Sequence, residues 1–182
     1  MTVFEQRGLM SFRSKYDKDG SSQNMGNKGE FNFTVEAVKR GYEIIKATDK
    51  EDRTEHWDFR VKMDNNVFKV DAKARKALSR GGEPQDEWIL LEKTNVAGKP
   101  GWLYGEADYI SFEQSDCFIL CPRTELVALW KEIVDETILA RRAEDAKGVI
   151  YTRRDRFDII SYVKNTDVKK RLGVIIWEKK NV

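Results

Sequence analysis

The chain has 182 residues, of which 35% are charged, and its 33 lysines and arginines against 31 aspartates and glutamates leave a net charge of only +2. That length suits one domain with a substantial core, and the mild charge balance neither requires nor excludes a nucleic-acid partner, because only the face that meets phosphates must be basic. No apolar stretch is long enough to cross a membrane, and the first residues, Met1 to Arg7, lack the apolar run of a secretory signal, so the sequence reads as a cytoplasmic protein.

Residues 1–28 are expected to form a flexible N-terminal arm, since the segment from Ser11 to Gly29 is rich in Ser, Asn, Asp, Lys and Gly. Residues 29–182 then form a single domain. A helix is predicted from about Glu30 to Arg40, with Phe31, Val35, Val38 and Tyr42 near one face and Gly41 as its stop. Tyr42 to Ala47 reads as a first strand.

Two strands with strict alternation follow, His56 to Met63 and Val67 to Arg75. Trp57, Phe59, Val61 and Met63 face one way, matched by Phe68, Val70, Ala72 and Ala74. His56, Asp58, Arg60 and Lys62 face the other way, together with Lys69, Asp71, Lys73 and Arg75. Asp64-Asn65-Asn66 between them suits a tight hairpin. A turn at Asn65-Asn66 would pair Met63 with Phe68 and Asp58 with Lys73, making Asp58 and Asp71 diagonal neighbours roughly 7–8 Å apart.

Farther along, residues 79–86 are a loop by composition, and Trp88 to Glu92, apolar on both faces, reads as a central strand. Trp102 and Tyr104 lie in a glycine-rich turn, where they could stack on an unpaired base or cover an edge of the core; the core is favoured. Tyr109 to Phe112 and Cys117 to Cys121 continue the sheet, and the two cysteines read as core residues on one side of a strand. A long amphipathic helix capped by Thr124 is predicted to carry Leu126, Leu129, Trp130, Ile133, Thr137 and Ile138. Strands at 148–151, 157–163 and 174–177, with a short helix at 167–172, complete a mixed α/β pattern.

The chemistry is concentrated in the hairpin. Two carboxylates without soft ligands suit a hard cation such as Mg²⁺, with Mn²⁺ as a substitute, and such an ion also binds phosphate oxygens. Lys73 beside them could orient water or neutralise developing charge. Asp58, twelve intervening residues, then Asp71-Ala72-Lys73 on a hydrophobic strand resembles the signature of the PD-(D/E)XK nuclease superfamily. The resemblance covers roughly residues 29 to 121. It implies a restriction-endonuclease-like fold, a mixed central sheet flanked by helices, and a metal-dependent DNA endonuclease. It gives Asp58 and Asp71 the metal, Lys73 the attacking water, and Glu30, on the preceding helix, the place of a further acid. Length points by analogy to a small stand-alone enzyme similar to phage or bacterial Holliday junction resolvases, acting on junction or branched DNA. A homodimer would suit cutting of two strands, although no interface can be read.

Lys69, Arg75 and Lys76 adjoin the acids and are the candidate nucleic-acid contacts, with Arg80 close behind; Arg153, Arg154 and Arg156 form a weaker basic cluster. Glu92, on the next strand, is a second-rank site candidate; His56, the single histidine, could help hold a phosphate or a water, and a structural role is favoured for it. Three other readings stay open, the weakest of them a nuclease directed at RNA, distinguished by its choice of substrate. Asp58 with Lys73 and Arg60 with Asp71 could be ordinary cross-strand ion pairs, and the domain could be a non-catalytic nucleic-acid-binding or protein-interaction module on the same fold.

Overall fold

The computed structural model describes residues 20–79 and 81–179. Most of the N-terminal arm, and Arg80, lie outside these residues. The fold is mixed α/β. A six-stranded sheet has the order β1-β2-β3-β5-β6-β10, formed by Glu43–Lys46, Phe59–Met63, Asn66–Lys73, Tyr109–Glu113, Cys117–Pro122 and Ile175–Glu178. All neighbours are antiparallel except β3 and β5, which run parallel and so require a crossover. That crossover, residues 74–108, contains β4 (Trp88–Thr94) and a 3-10 turn at Trp102–Tyr104. Four helices complete the frame: α1 (Ser21–Lys39), α2 (Asp49–Glu55), α3 (Arg123–Ile133) and α4 (Asn165–Arg171).

The two faces of the sheet bury different cores. On one face Phe33 and Ala37 of α1 pack on Phe59, Val61, Val70, Ala72, Phe118, Leu120 and Trp177. Phe33 is the hub, stacked on Phe59 and on Trp177 and edge-on to Phe118. On the other face Ile110, Phe112, Ile119 and both cysteines meet Leu126, Leu129 and Trp130 of α3, with Ile89 and Leu91 of β4 and Val163 of β9 (Ile159–Lys164). Cys117 and Cys121 are buried and free.

Several expectations need correction. The first helix begins at Ser21, so residues 21–28 are helical and not part of an arm; its first turns are mostly polar in sequence, and Asn24, Met25, Asn27 and Lys28 are exposed, so no apolar period marks them. Its buried stripe is Gly29, Phe33 and Ala37, spaced i, i+4, i+8, whereas Phe31 and Val38 are exposed. The strand expected at 56–63 starts only at Phe59, because α2 occupies the residues before it. Thr48 and Glu51 form a reciprocal capping box at its start, and His56 ends it in a left-handed conformation with φ 56°. That turn rotates Trp57 onto the opposite core from Phe59.

The hairpin turns at Asp64-Asn65, with Asp64 at φ 54°, so Met63 faces Asn66 and Val61 faces Phe68. A shift of two residues from the expected register keeps the side chains of β2 and β3 themselves on their expected faces, so burial alone does not select between them.

β4 is not a central strand. Its one strand partner is β9, in a separate two-stranded ribbon packed with α3 in the same core. The helix after Pro122 stops at Ile133. Thr137 and Ile138 belong to an exposed strand, β7 (Asp135–Leu139), which pairs with β8 (Val149–Ile150), and Asp135 accepts hydrogen bonds from the amide and hydroxyl of Thr137. The β-branched residues Ile133, Val134, Thr137 and Ile138 favour that exit from the helix. Pro122, not Thr124, stands at the N-cap.

Candidate active site

Asp58 lies just before β2 and is fastened to the residues on either side of Asp71. Its amide donates to the Val70 carbonyl at 2.9 Å, and its Oδ2 accepts from the Ala72 amide at 2.7 Å. Both acids are buried, with Asp71 only 2% exposed. Burial, and after it the charge of Asp71, hold the Asp58 carboxyl well above the ordinary carboxylate range.

Lys73 follows Asp71 on the same face of β3, and its Nζ lies 2.6 Å from Asp71 Oδ1. Burial alone would lower the pKa of this lysine, but Asp71 and Asp58 outweigh burial and raise it, so the ammonium is firmly charged. It also sits over the Trp102 ring, 5.1 Å from the centroid. Asp71 Oδ2 is buried and has no hydrogen-bond partner. A buried carboxylate oxygen without a donor costs about 1–3 kcal/mol or more, so it marks a place where a cation or proton belongs.

Glu30 reaches this region because α1 passes close to the end of β3. A Cβ on Gly29 would lie 2.7 Å from the Ala74 Cβ, so only glycine permits the approach. Glu30 holds Lys46 of β1 at 2.9 Å. Its charge, with that of Asp71, also acts on Asp52 of α2, whose pKa is raised by burial first and by these acids next. Asp52 is an acid that the sequence reading missed. It sits in a short polar helix with no alternation to mark it, and only the capping box of Thr48 and Glu51 could have revealed the helix.

Glu92 approaches from β4. Burial raises its pKa, and the cations acting against that shift are Lys73, Lys76 and Arg153 in turn. Arg153 is bound to the fully buried Asp158. Among the remaining candidates, Lys69 is held by Glu55 at 2.9 Å and Glu106 at 3.2 Å, and Arg75 by Asp86 at 2.6 Å. Lys76 has no acidic partner among the described residues, and its pKa is lowered by desolvation and by Lys73. His56 caps α2. Trp102 is buried and Tyr104 is exposed.

Among the described residues, no three carboxylate, histidine or cysteine side chains are placed to hold a metal ion together. An ion at this place would therefore have at most a pair of carboxylates from the chain, Asp58 and Asp71. A pair fits Mg²⁺ well enough, since that ion keeps several waters and commonly takes one or two carboxylates together with substrate phosphate. Comparison with protein-family models, curated proteins and solved structures gives no match. No helix among the described residues is long and apolar enough to cross a membrane.

Proposed function

We propose that this protein is a metal-dependent DNA endonuclease of the PD-(D/E)XK kind, with Asp58 and Asp71 holding Mg²⁺ or Mn²⁺ and Lys73 beside them. The observation that carries the reading is the buried, unpartnered Oδ2 of Asp71 next to a second buried acid and a charged lysine. A divalent ion bound there would supply Lewis-acid stabilisation of phosphoryl oxygens and a more acidic water. The chain's own contributions are electrostatic and positional. Backbone bonds fix Asp58 against β3, and the ion pair with Asp71 aims the Lys73 ammonium where it can hold a water or offset charge on a phosphate oxygen. Glu30 and Asp52 add negative potential at the rim.

The Asp71–Lys73 pair would also suit a non-catalytic nucleic-acid-binding module, in which the lysine simply neutralises the acid. The two readings separate on cleavage of labelled duplex, branched and single-stranded DNA with Mg²⁺ or Mn²⁺, alongside an Asp71→Ala control purified in parallel. Metal-dependent cutting that disappears in the control supports the nuclease and shows whether junctions are preferred. No cutting of any substrate, with DNA binding unchanged by the substitution, would replace it with the binding module.

A further inference from the structure

A cleft opens beside Lys73 and runs to Trp88 at the start of β4. Trp102 and Phe112 stand at the Lys73 end, and Lys76 lies along it. Trp88 lines the cleft, and two ammonium groups just outside that lining share its ring: Lys147 lies 4.9 Å and Lys164 5.5 Å from the Trp88 centroid. The sheet pairing fixes this arrangement, since Lys164 is the register partner of Trp88 across β4 and β9, and Lys147 bridges to Tyr162 on the same strand.

Neither of these lysines forms an ion pair among the described residues, and Lys76 forms none either, the charge of Glu92 acting on it only from a distance. Elsewhere around the site the cations are neutralised: Lys46 by Glu30, Lys69 by Glu55 and Glu106, Lys73 by Asp71, Arg75 by Asp86. The Trp88 ring attracts both ammonium groups but cannot neutralise them, so a polyanion passing beside it would meet two positive charges that no carboxylate offsets.

We infer that the cleft from Lys73 to Trp88 is the track of the DNA strand on one side of the cut, with Lys76, Lys147 and Lys164 on its phosphates and Trp88 as the platform beneath. This rests on the nuclease reading for its direction from the acids, but not for the binding itself. The three lysines supply charge without reading sequence, the rings of Trp88, Trp102 and Phe112 line the cleft, and its one acid, Glu113, is paired with Lys179.

The test is equilibrium binding of a labelled DNA oligonucleotide, in chelator so that no cutting occurs, as a function of salt. The double variant Lys147→Gln with Lys164→Gln keeps the side-chain stems and removes two charges. The control, Lys131→Gln with Lys170→Gln, removes two exposed charges on α3 and α4. Loss of two phosphate contacts should lower affinity roughly ten-fold near physiological salt and reduce the slope of log K against log salt by about 1.5. The control should keep the wild-type slope.

An unchanged slope in the Lys147/Lys164 variant, or an equal fall in both variants, overturns the track. So does a wild-type protein that binds no DNA. Cleavage is read separately with Mg²⁺. A slope change confined to the Lys147/Lys164 variant in a protein that never cuts keeps the track and discards the nuclease, and cutting with an unchanged slope does the reverse.

Discussion

Lys73 Nζ and Asp71 Oδ1 lie 2.6 Å apart, while the second oxygen of the same carboxylate is buried with no partner. The lysine therefore satisfies half of the acid, and the other half is left for a cation or for a proton shared with Asp58. Removing the lysine exposes what it does. In Lys73→Met the buried Asp71 loses its one charged partner, and metal-free stability should fall by about 3–5 kcal/mol, the usual cost of breaking a buried pair. Mg²⁺ should then raise the melting temperature of the variant by more than it raises that of the wild type, because the ion would replace the missing charge. Cleavage should be lost in either case. Thermal melts with and without Mg²⁺ check this, and a variant whose melting temperature ignores Mg²⁺ would show that no ion binds at Asp71.

Gly29 and Ala74 fix how near α1 comes to the end of β3. In Gly29→Ala the new Cβ would lie 2.7 Å from the Ala74 Cβ and 2.8 Å from its Cα, so the helix must move away from the strand. Overpacking of this kind costs typically 1–3 kcal/mol, even though alanine is the better helix former. The displaced turn carries Glu30. The expected result is a lower denaturant midpoint together with a loss of cleavage larger than the stability change explains. A variant as stable as the wild type would show that the helix approaches less closely than this contact implies.

The site was more legible in the sequence than its surroundings were. Alternation alone put Asp71 and Lys73 on one face of β3, and it survives a register shift of two residues because the side-chain period is also two. The same alternation misled at Trp57, where the left-handed His56 breaks the period and sends the indole to the opposite core. Asp52 and the polar first turns of α1 were invisible for one reason. Their helices are short of apolar residues and are set by capping and by contacts distant in sequence, such as Gly29 against Ala74. The apolar run at Trp88 to Glu92 correctly signalled a strand, but composition cannot say whether both buried faces belong to one sheet or, as here, to a ribbon laid over it.

The cysteines give a prediction about reactivity. Burial pushes the Cys117 thiol up to about 11, and Cys121 higher still. At pH 8 only about one Cys117 in a thousand would be thiolate, the species that reacts. A thiol reagent should therefore leave both cysteines unlabelled in the native protein and label both once the chain is unfolded in guanidinium. Rapid labelling of Cys117 alone under native conditions would mean that the edge formed by β10 opens readily, since β10 covers that end of β6.

Glu92 offers a test in which the sign follows from burial. Its folded-state pKa lies above the ordinary value of 4.5 because burial outweighs the attraction of Lys73, Lys76 and Arg153. The folded chain thus holds the proton more tightly than the unfolded one, so the charged form carries a penalty that is absent below about pH 4.5 and grows as pH rises through the folded value. Glu92→Gln removes that penalty. It should raise the melting temperature at neutral pH and leave it nearly unchanged at about pH 4, where the wild-type carboxyl is already protonated. A variant that melts lower at neutral pH would mean that the three cations outweigh burial, making Glu92 their counter-ion. Cleavage adds a second readout. Neutralising Glu92 removes a negative charge acting on Lys73, Lys76 and Arg153, so DNA should bind more tightly to the variant as the local potential becomes more positive.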